Sequence, residues 1–108
     1  MKHCLAKISS KEFVDNKFVF NKMLEACHRA GLTVMSSGKH EFSPGGLTAF
    51  IIIGESHMSI HTYPEKDMAY LDCFTCGKVD PNAPIKIFID LINGRVVSLK
   101  THERDDRC

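Results

Sequence analysis

Leu47-Thr48-Ala49-Phe50-Ile51-Ile52-Ile53 is rich in apolar and β-branched residues, stops at Gly54-Glu55, and gives way to Ser56-His57-Met58-Ser59-Ile60-His61. The first run predicts a buried central strand, because such side chains pack well on a pleated surface. In the second, Met58 and Ile60 alternate with Ser59 and His61, the period of a strand with one polar face. Gly54 predicts the bend between them, since it has no Cβ to strain. The same stretch puts a hydroxyl, Ser56, directly after the Glu55 carbonyl, with His57 and His61 close by in sequence. Those are the parts for acyl chemistry, including attack by Ser56 on the carbonyl just before it. They also read simply as the polar positions of a hairpin that faces water.

The rest of the chain supplies more strands and two helices. Residues 2–8 alternate weakly and predict a first strand. Asp15 predicts the N-cap of a helix over 16–30, whose Phe20, Met23, Leu24, Cys27 and Ala30 recur at three- and four-residue spacing, with Gly31 just past its end. Residues 32–35 and 39–42 predict two short strands, the second closed by a turn at Ser43-Pro44-Gly45-Gly46. A turn at 63–67 and a strand at 68–75 follow. Asp80-Pro81 predicts an N-cap and a first helical position, ahead of a helix carrying Ile85, Phe88, Ile89 and Ile92 on one face and stopping at Gly94. Val96, Val97 and Leu99 mark a last strand, and residues 102–108 read as a charged, solvated tail. With two helices and more strands than crossovers, the expected fold is an α+β two-layer sandwich, a mainly antiparallel sheet with both helices on one face.

Composition narrows the function classes. A chain of 108 residues is expected to form one domain, and at this size it buries about two-thirds of its unfolded surface, so oligomerisation would help it. Its net charge of +1, with both signs interspersed, lacks the basic stripe that nucleic acid requires. No apolar run approaches a membrane span, and Met1-Lys2-His3-Cys4-Leu5 lacks the core of a signal peptide, so a cytoplasmic protein is expected. The five cysteines are accordingly expected to stay reduced.

Some of those cysteines could do chemistry. His57 and His61 with Cys73 and Cys76 are zinc-ligand types. On a strand, however, the two histidines stand about 13 Å apart on one face and cannot share an ion, so no metal is expected. As a redox pair, Cys73 and Cys76 would end a strand rather than start a helix, and their side chains would point to opposite faces. Cys76, beside Gly77, is then the exposed thiol, and Cys73 belongs to the core.

The run Gly54-Glu55-Ser56-His57-Met58-Ser59-Ile60-His61-Thr62-Tyr63-Pro64-Glu65, followed by Asp72-Cys73-Phe74-Thr75-Cys76-Gly77, resembles the prokaryotic S-adenosylmethionine decarboxylase proenzymes. His40-Glu41-Phe42-Ser43-Pro44-Gly45-Gly46-Leu47-Thr48 resembles the same family upstream, and the likeness extends from residues 2–3 through the last strand. The resemblance implies self-cleavage at Glu55-Ser56, giving a β chain of residues 1–55 and an α chain of 56–108. Ser56 would become a pyruvoyl group, the cofactor that takes up electrons as CO2 departs.

By the same resemblance, His61 would assist cleavage and Thr48, where the family usually has serine, would support it. Cys76 would return a proton to the substrate. Phe42 and Tyr63 would stack on adenine, and Glu65 would hold the ribose hydroxyls. Tyr63 stands where tryptophan is common. A homodimer of processed units is implied, acting on S-adenosylmethionine to supply the aminopropyl donor of spermidine. Members that decarboxylate arginine or ornithine are the alternative, since Glu65 could grip a guanidinium or ammonium. A non-catalytic, zinc-binding domain is the competitor from another class.

Overall fold

The computed structural model describes residues 1–107. Six strands, β1 (Lys2–Ser9), β2 (Val34–Glu41), β3 (Leu47–Ile53), β4 (Ser56–Tyr63), β5 (Met68–Thr75) and β6 (Arg95–Glu103), form one sheet in the order β2-β3-β4-β5-β1-β6. Every neighbouring pair is antiparallel. Helix α1 (Asn16–Arg29) carries the chain from β1 to β2, and α2 (Asn82–Leu91) carries it from β5 to β6. The two helices pack against each other and share one core with the sheet. This is the expected two-layer α+β sandwich.

Strand alternation decides what that core contains. Cys4, Ala6 and Ile8 of β1, Leu47, Ala49, Ile51 and Ile53 of β3, Met58 and Ile60 of β4, and Ala69, Leu71 and Cys73 of β5 are buried against the helices. The helices contribute Val19, Met23, Ala26 and Cys27 from α1, and Ile85, Phe88, Ile89 and Ile92 from α2 and its C-cap. The opposite face of the sheet has no helix over it. Leu5, Phe50, Ile52 and Tyr70 stand there between 38% and 45% exposed. The run 47–53 is therefore apolar on both faces but buried on only one.

The ends of α1 follow the sequence signals. Asp15 caps α1, its Oδ1 accepting from Phe18 N at 3.0 Å. Gly31 takes a φ of +77° while Leu32 N donates to Cys27 O, closing the C-terminus. The start of α2 is one residue later than expected: Pro81 stands at the N-cap rather than the first helical position, the helix begins at Asn82, and Asp80 Oδ1 accepts from Asn82 N at 2.9 Å.

Five local features depart from the sequence reading or were missed by it. Residues 32–35 and 39–42 are not two strands but the single strand β2: Gly38 does not break it, because the Phe50 ring lies where a Cβ would sit, 2.5 Å from its Cε1. The buried side of α1 includes Val19 and Ala26, while Phe20 and Leu24 are only partly covered, a rotation of the face around the helix. Asn93, not Gly94, takes the left-handed position after α2. A 3-10 turn at Lys11–Val14 had no sequence signal, yet it seats Phe13 fully in the core. Finally, β6 runs on to Glu103, because its partner β1 is paired along its full length.

Candidate active site

The predicted site residues fall into two groups, at opposite ends of β4. At its start, Ser56 follows a two-residue turn, with Ile53 paired to Ser56 across it. The bend is not taken by Gly54, as expected, but by Glu55, whose φ is +63°. For a residue with a Cβ that region is strained by roughly 1–2 kcal/mol. The strain therefore sits on the residue that supplies the carbonyl of the predicted scissile bond. Ser56 is half-buried, and its Oγ accepts from the Cys76 backbone N–H at 3.4 Å. Cys76 lies just past β5, and Thr75 Oγ1 donates to Val79 O at 2.8 Å, folding the chain back beyond it.

The cysteines separate as the strand pattern predicts. Cys73 is fully buried and Cys76 half-exposed. Burial pushes the Cys73 thiol up to about 12, aided by its neighbours Cys27 and Cys4, and pushes Cys27 up to about 11. Neither can serve as an acid near neutral pH, and Cys4, also raised by burial, is no better. Cys76 is disulfide-bonded, which corrects the expectation of reduced thiols throughout; Cys4, Cys27 and Cys73 are free. Cys108, counted in the same expectation, lies outside the described residues.

At the far end of β4, Phe42, His61, Tyr63 and Glu65 line one cavity of about 310 Å³ with Gly45, Gly46 and Thr62. His61 is the hub. Its Nδ1 lies 2.5 Å from Thr48 Oγ1, opposite it in the β3–β4 register. Its ring is 6.0 Å from Phe42 and 4.7 Å from Tyr63, centroid to centroid. The loop that carries Phe42 is held from three sides. Phe42 N donates to Gly46 O, Asn16 Nδ2 donates to the same carbonyl at 3.0 Å, and Leu47 N donates to buried Thr62 Oγ1 at 2.9 Å. Gly46 has a φ of +113°, a conformation that suits glycine. Phe42 and Tyr63 remain 44% and 39% exposed, so their ring faces are open to a ligand.

Two residues of this end escaped the sequence reading. His40 packs edge-on against Phe42 at 4.7 Å, and Tyr70 against Tyr63 at 5.8 Å. Hairpin register could have found both, since His40, Thr48, His61 and Tyr70 are successive cross-strand partners on one face. Among the described residues, no three His, Cys, Asp or Glu side chains converge as a metal site would need. No described helix is long and apolar enough to cross a membrane.

The separation is large. His61 is five residues beyond Ser56 on an extended strand, roughly 17 Å at about 3.3 Å per residue. Within one chain, then, Ser56 and Cys76 share one corner, and Thr48, His61, Phe42, Tyr63 and Glu65 share another.

Comparison with known proteins shows the family. A family model described as S-adenosylmethionine decarboxylase matches residues 3–105. An S-adenosylmethionine decarboxylase proenzyme of Brevibacillus brevis is 44% identical over 79 residues, 72% of this chain and 59% of that protein's length. Another, from Symbiobacterium thermophilum, is 38% identical over 93% of this chain and 76% of its own. The crystal structure of the adenosylmethionine decarboxylase from Aquifex aeolicus superposes with a TM-score of 0.85 at 28% identity, covering 99% of this chain and 94% of that one. The chain belongs to the S-adenosylmethionine decarboxylase family.

Proposed function

We propose that this chain is the precursor of a pyruvoyl-dependent S-adenosylmethionine decarboxylase, which cleaves itself between Glu55 and Ser56 and supplies the aminopropyl donor for polyamine synthesis. The observation that carries the reading is Ser56 itself, placed directly after a left-handed Glu55 and against the backbone of Cys76. Ser56 Oγ attacks the Glu55 carbonyl carbon, the amide C–N bond breaks, and an ester with a free amine results. Loss of the Ser56 α-proton then expels the Glu55 carboxylate, and water replaces the nitrogen as ammonia. Cleavage removes the constraint that holds Glu55 at positive φ.

The pyruvoyl group so formed supplies the electron sink for decarboxylation. The rest falls to the protein's own side chains. Phe42 and Tyr63 offer ring faces to the adenine, and to the sulfonium through their π clouds. Glu65, at the cavity edge, accepts from the ribose hydroxyls. Cys76, as a thiol, gives a proton to the substrate α-carbon.

These roles require a second copy of the chain. A base 17 Å from the bond it serves is far beyond hydrogen-bond reach, about 3 Å. An isologous dimer, with sheets stacked face to face and a twofold axis crossing β4 near its middle, would bring the Ser56 end of one protomer to the His61 end of the other. The half-exposed Leu5, Phe50, Ile52 and Tyr70 give that face the apolar character such a contact needs.

Intact mass of the purified protein, followed by release of labelled CO2 from carboxyl-labelled S-adenosylmethionine, arginine and ornithine in parallel, tests the reading. Fragments 1–55 and 56–108 and turnover of S-adenosylmethionine are expected. An uncleaved chain that stays inert in reducing buffer would sink it; turnover of an amino acid alone would move the substrate and leave the mechanism. In Cys76→Ala, cleavage should persist to some degree while turnover falls by about a hundredfold or more.

A further inference from the structure

A cluster that the proposed reaction does not use lies on the open face, next to Ser56. His57, Phe74 and His3 are cross-strand partners in one row over β4, β5 and β1. The His57 ring stacks on Phe74, with 5.7 Å between centroids and 21° between planes. His3 meets the same ring edge-on at 6.0 Å, and the Arg104 guanidinium lies 5.9 Å over it. These outer groups are themselves fixed. His3 Nε2 is 2.9 Å from Asp72 Oδ1, and its Nδ1 accepts from Arg104 at 3.3 Å. Arg104 N in turn donates to Met1 O at 2.8 Å. Arg104, read from sequence as part of a solvated tail, is thereby fastened beside Phe74.

The row matters because of what maturation removes. In the precursor, Ser56 Oγ accepts from the Cys76 backbone N–H. In the proposed reaction that oxygen departs with the Glu55 carboxylate, and the Ser56 nitrogen departs as ammonia. The pyruvoyl group then ends a chain, attached through its amide bond to His57 N. Residues at a chain end fray unless something ties them down. The pyruvoyl amide must also stay in plane with the substrate imine for electrons to pass between them. A misplacement of about 1 Å can cost roughly a hundredfold in rate. We propose that His57 and Phe74 are positioning residues: their stacked rings, braced by His3 and Arg104, tie down residue 57 and so orient the pyruvoyl group. The proposal rests on the reading of Ser56 as the pyruvoyl precursor. His57 is otherwise exposed, so the stack is what gives its side chain a fixed place.

The test measures decarboxylation per pyruvoyl group, counted by the mass of fragment 56–108, so that maturation and turnover are read separately. In His57→Ala, kcat should fall about tenfold while the Michaelis constant stays within about twofold. A loosened sink should also take the returning proton on its own carbon more often. Water then splits that imine, releasing an aldehyde from the substrate and leaving alanine at the fragment's end, which N-terminal sequencing detects. Turnovers completed before this loss should fall severalfold in His57→Ala. His57→Phe restores a flat ring over Phe74 and should recover both quantities to within about threefold of wild type. Phe74→Leu, apolar but without a flat face, should behave as His57→Ala does. Wild-type kcat and pyruvoyl lifetime in His57→Ala would refute the clamp. Equal losses in His57→Ala and His57→Phe would assign the effect to the imidazole and overturn the stack. A raised Michaelis constant with kcat unchanged would place His57 against the substrate instead. If His57→Ala stays uncleaved, cleavage of His57→Phe supports the clamp and its failure overturns it. A wild-type chain that forms no pyruvoyl would defeat the proposed function and the clamp with it, whereas an active wild type with unaffected variants would defeat the clamp alone.

Discussion

The two ends of β4 are built to opposite requirements. At the Ser56 end, a left-handed Glu55 and a hydroxyl sit on a tight turn, with Arg104 fastening the neighbouring segment across β1. At the Tyr63 end, a glycine-bearing loop is held open around a cavity, and the aromatic faces are left free. On the proposed function, one end concentrates the reactive bond and the other concentrates recognition. Since roughly 17 Å of strand separates Ser56 from His61, neither end would be an active site alone on that proposal. The contrast argues that the working unit is a pair of chains rather than one.

Mixing two defects breaks this comparison most sharply. Ser56→Ala has no nucleophile and should stay intact. His61→Ala keeps the nucleophile but lacks the residue assigned to assist it. If His61 serves the partner, co-expression should yield cleavage of the His61→Ala chain while the Ser56→Ala chain stays whole, which intact mass distinguishes. Action within one chain predicts no gain over either variant expressed alone.

The recognition end answers to a smaller change. Phe42→Ala should raise the Michaelis constant for S-adenosylmethionine about tenfold or more, which corresponds to ~1.4 kcal/mol of lost contact. Self-cleavage, which needs no substrate, should proceed as before. Glu65→Gln should weaken binding with the same indifference of cleavage. If Phe42→Ala left substrate affinity unchanged while neutralising Glu65 abolished activity, the cavity would belong to an amino-acid substrate instead.

Cysteines three residues apart sharpen the contrast between the sealed and open sides of β5. Buried Cys73 and Cys27 keep their protons in the folded chain up to about 12 and about 11, whereas an unfolded thiol, at 9.0, gives its proton up earlier. Between those values the folded state binds more protons than the unfolded, so stability must fall as pH rises. Their contribution is whole below about pH 9 and is lost above it, at up to about 1.4 kcal/mol per pH unit for each thiol. Urea midpoints from pH 8 to pH 10.5 check this. Cys73→Ala should start lower, because of its cavity, but decline less steeply. An equal slope would mean that the thiol is already solvated.

How far all this was legible depends on distance along the chain. The α1 cap, β3, β5 and the α2 face follow from neighbours a few residues apart, and there the sequence signals and the structure agree. Two strands were expected where β2 is one, because what Gly38 makes room for, the Phe50 ring, lies on another strand. Arg104 is joined to His3 across nearly the whole chain, so a run of charges could only look solvated. The candidate site residues were chosen by type and by resemblance, and five positions from Ser56 to His61 could be counted. What that count means depends on conformation: on a helix the two would be near, and on β4 they are a strand-length apart.

The smallest predicted effect concerns the bend itself. Gly54 has room for a Cβ and no positive φ, while Glu55 next to it carries the left-handed conformation. The glycine is thus one residue too early to relieve the turn, and the proposed scissile bond follows the strained residue. Placing glycine where the strain lies should stabilise the precursor and slow its cleavage. In an uncleavable Ser56→Ala background, Glu55→Gly should add about 1 kcal/mol of stability, and Gly54→Ala should change little. With Ser56 restored, the same 1 kcal/mol limits the slowing of self-cleavage by Glu55→Gly to about fivefold. Glu55→Ala separates strain from charge, because it removes the carboxylate and keeps the conformation; it should cleave at the wild-type rate. If Glu55→Gly gained no stability and cleaved as fast as wild type, the left-handed turn would have no part in the reaction, and Ser56 would owe its reactivity to the partner's His61 alone.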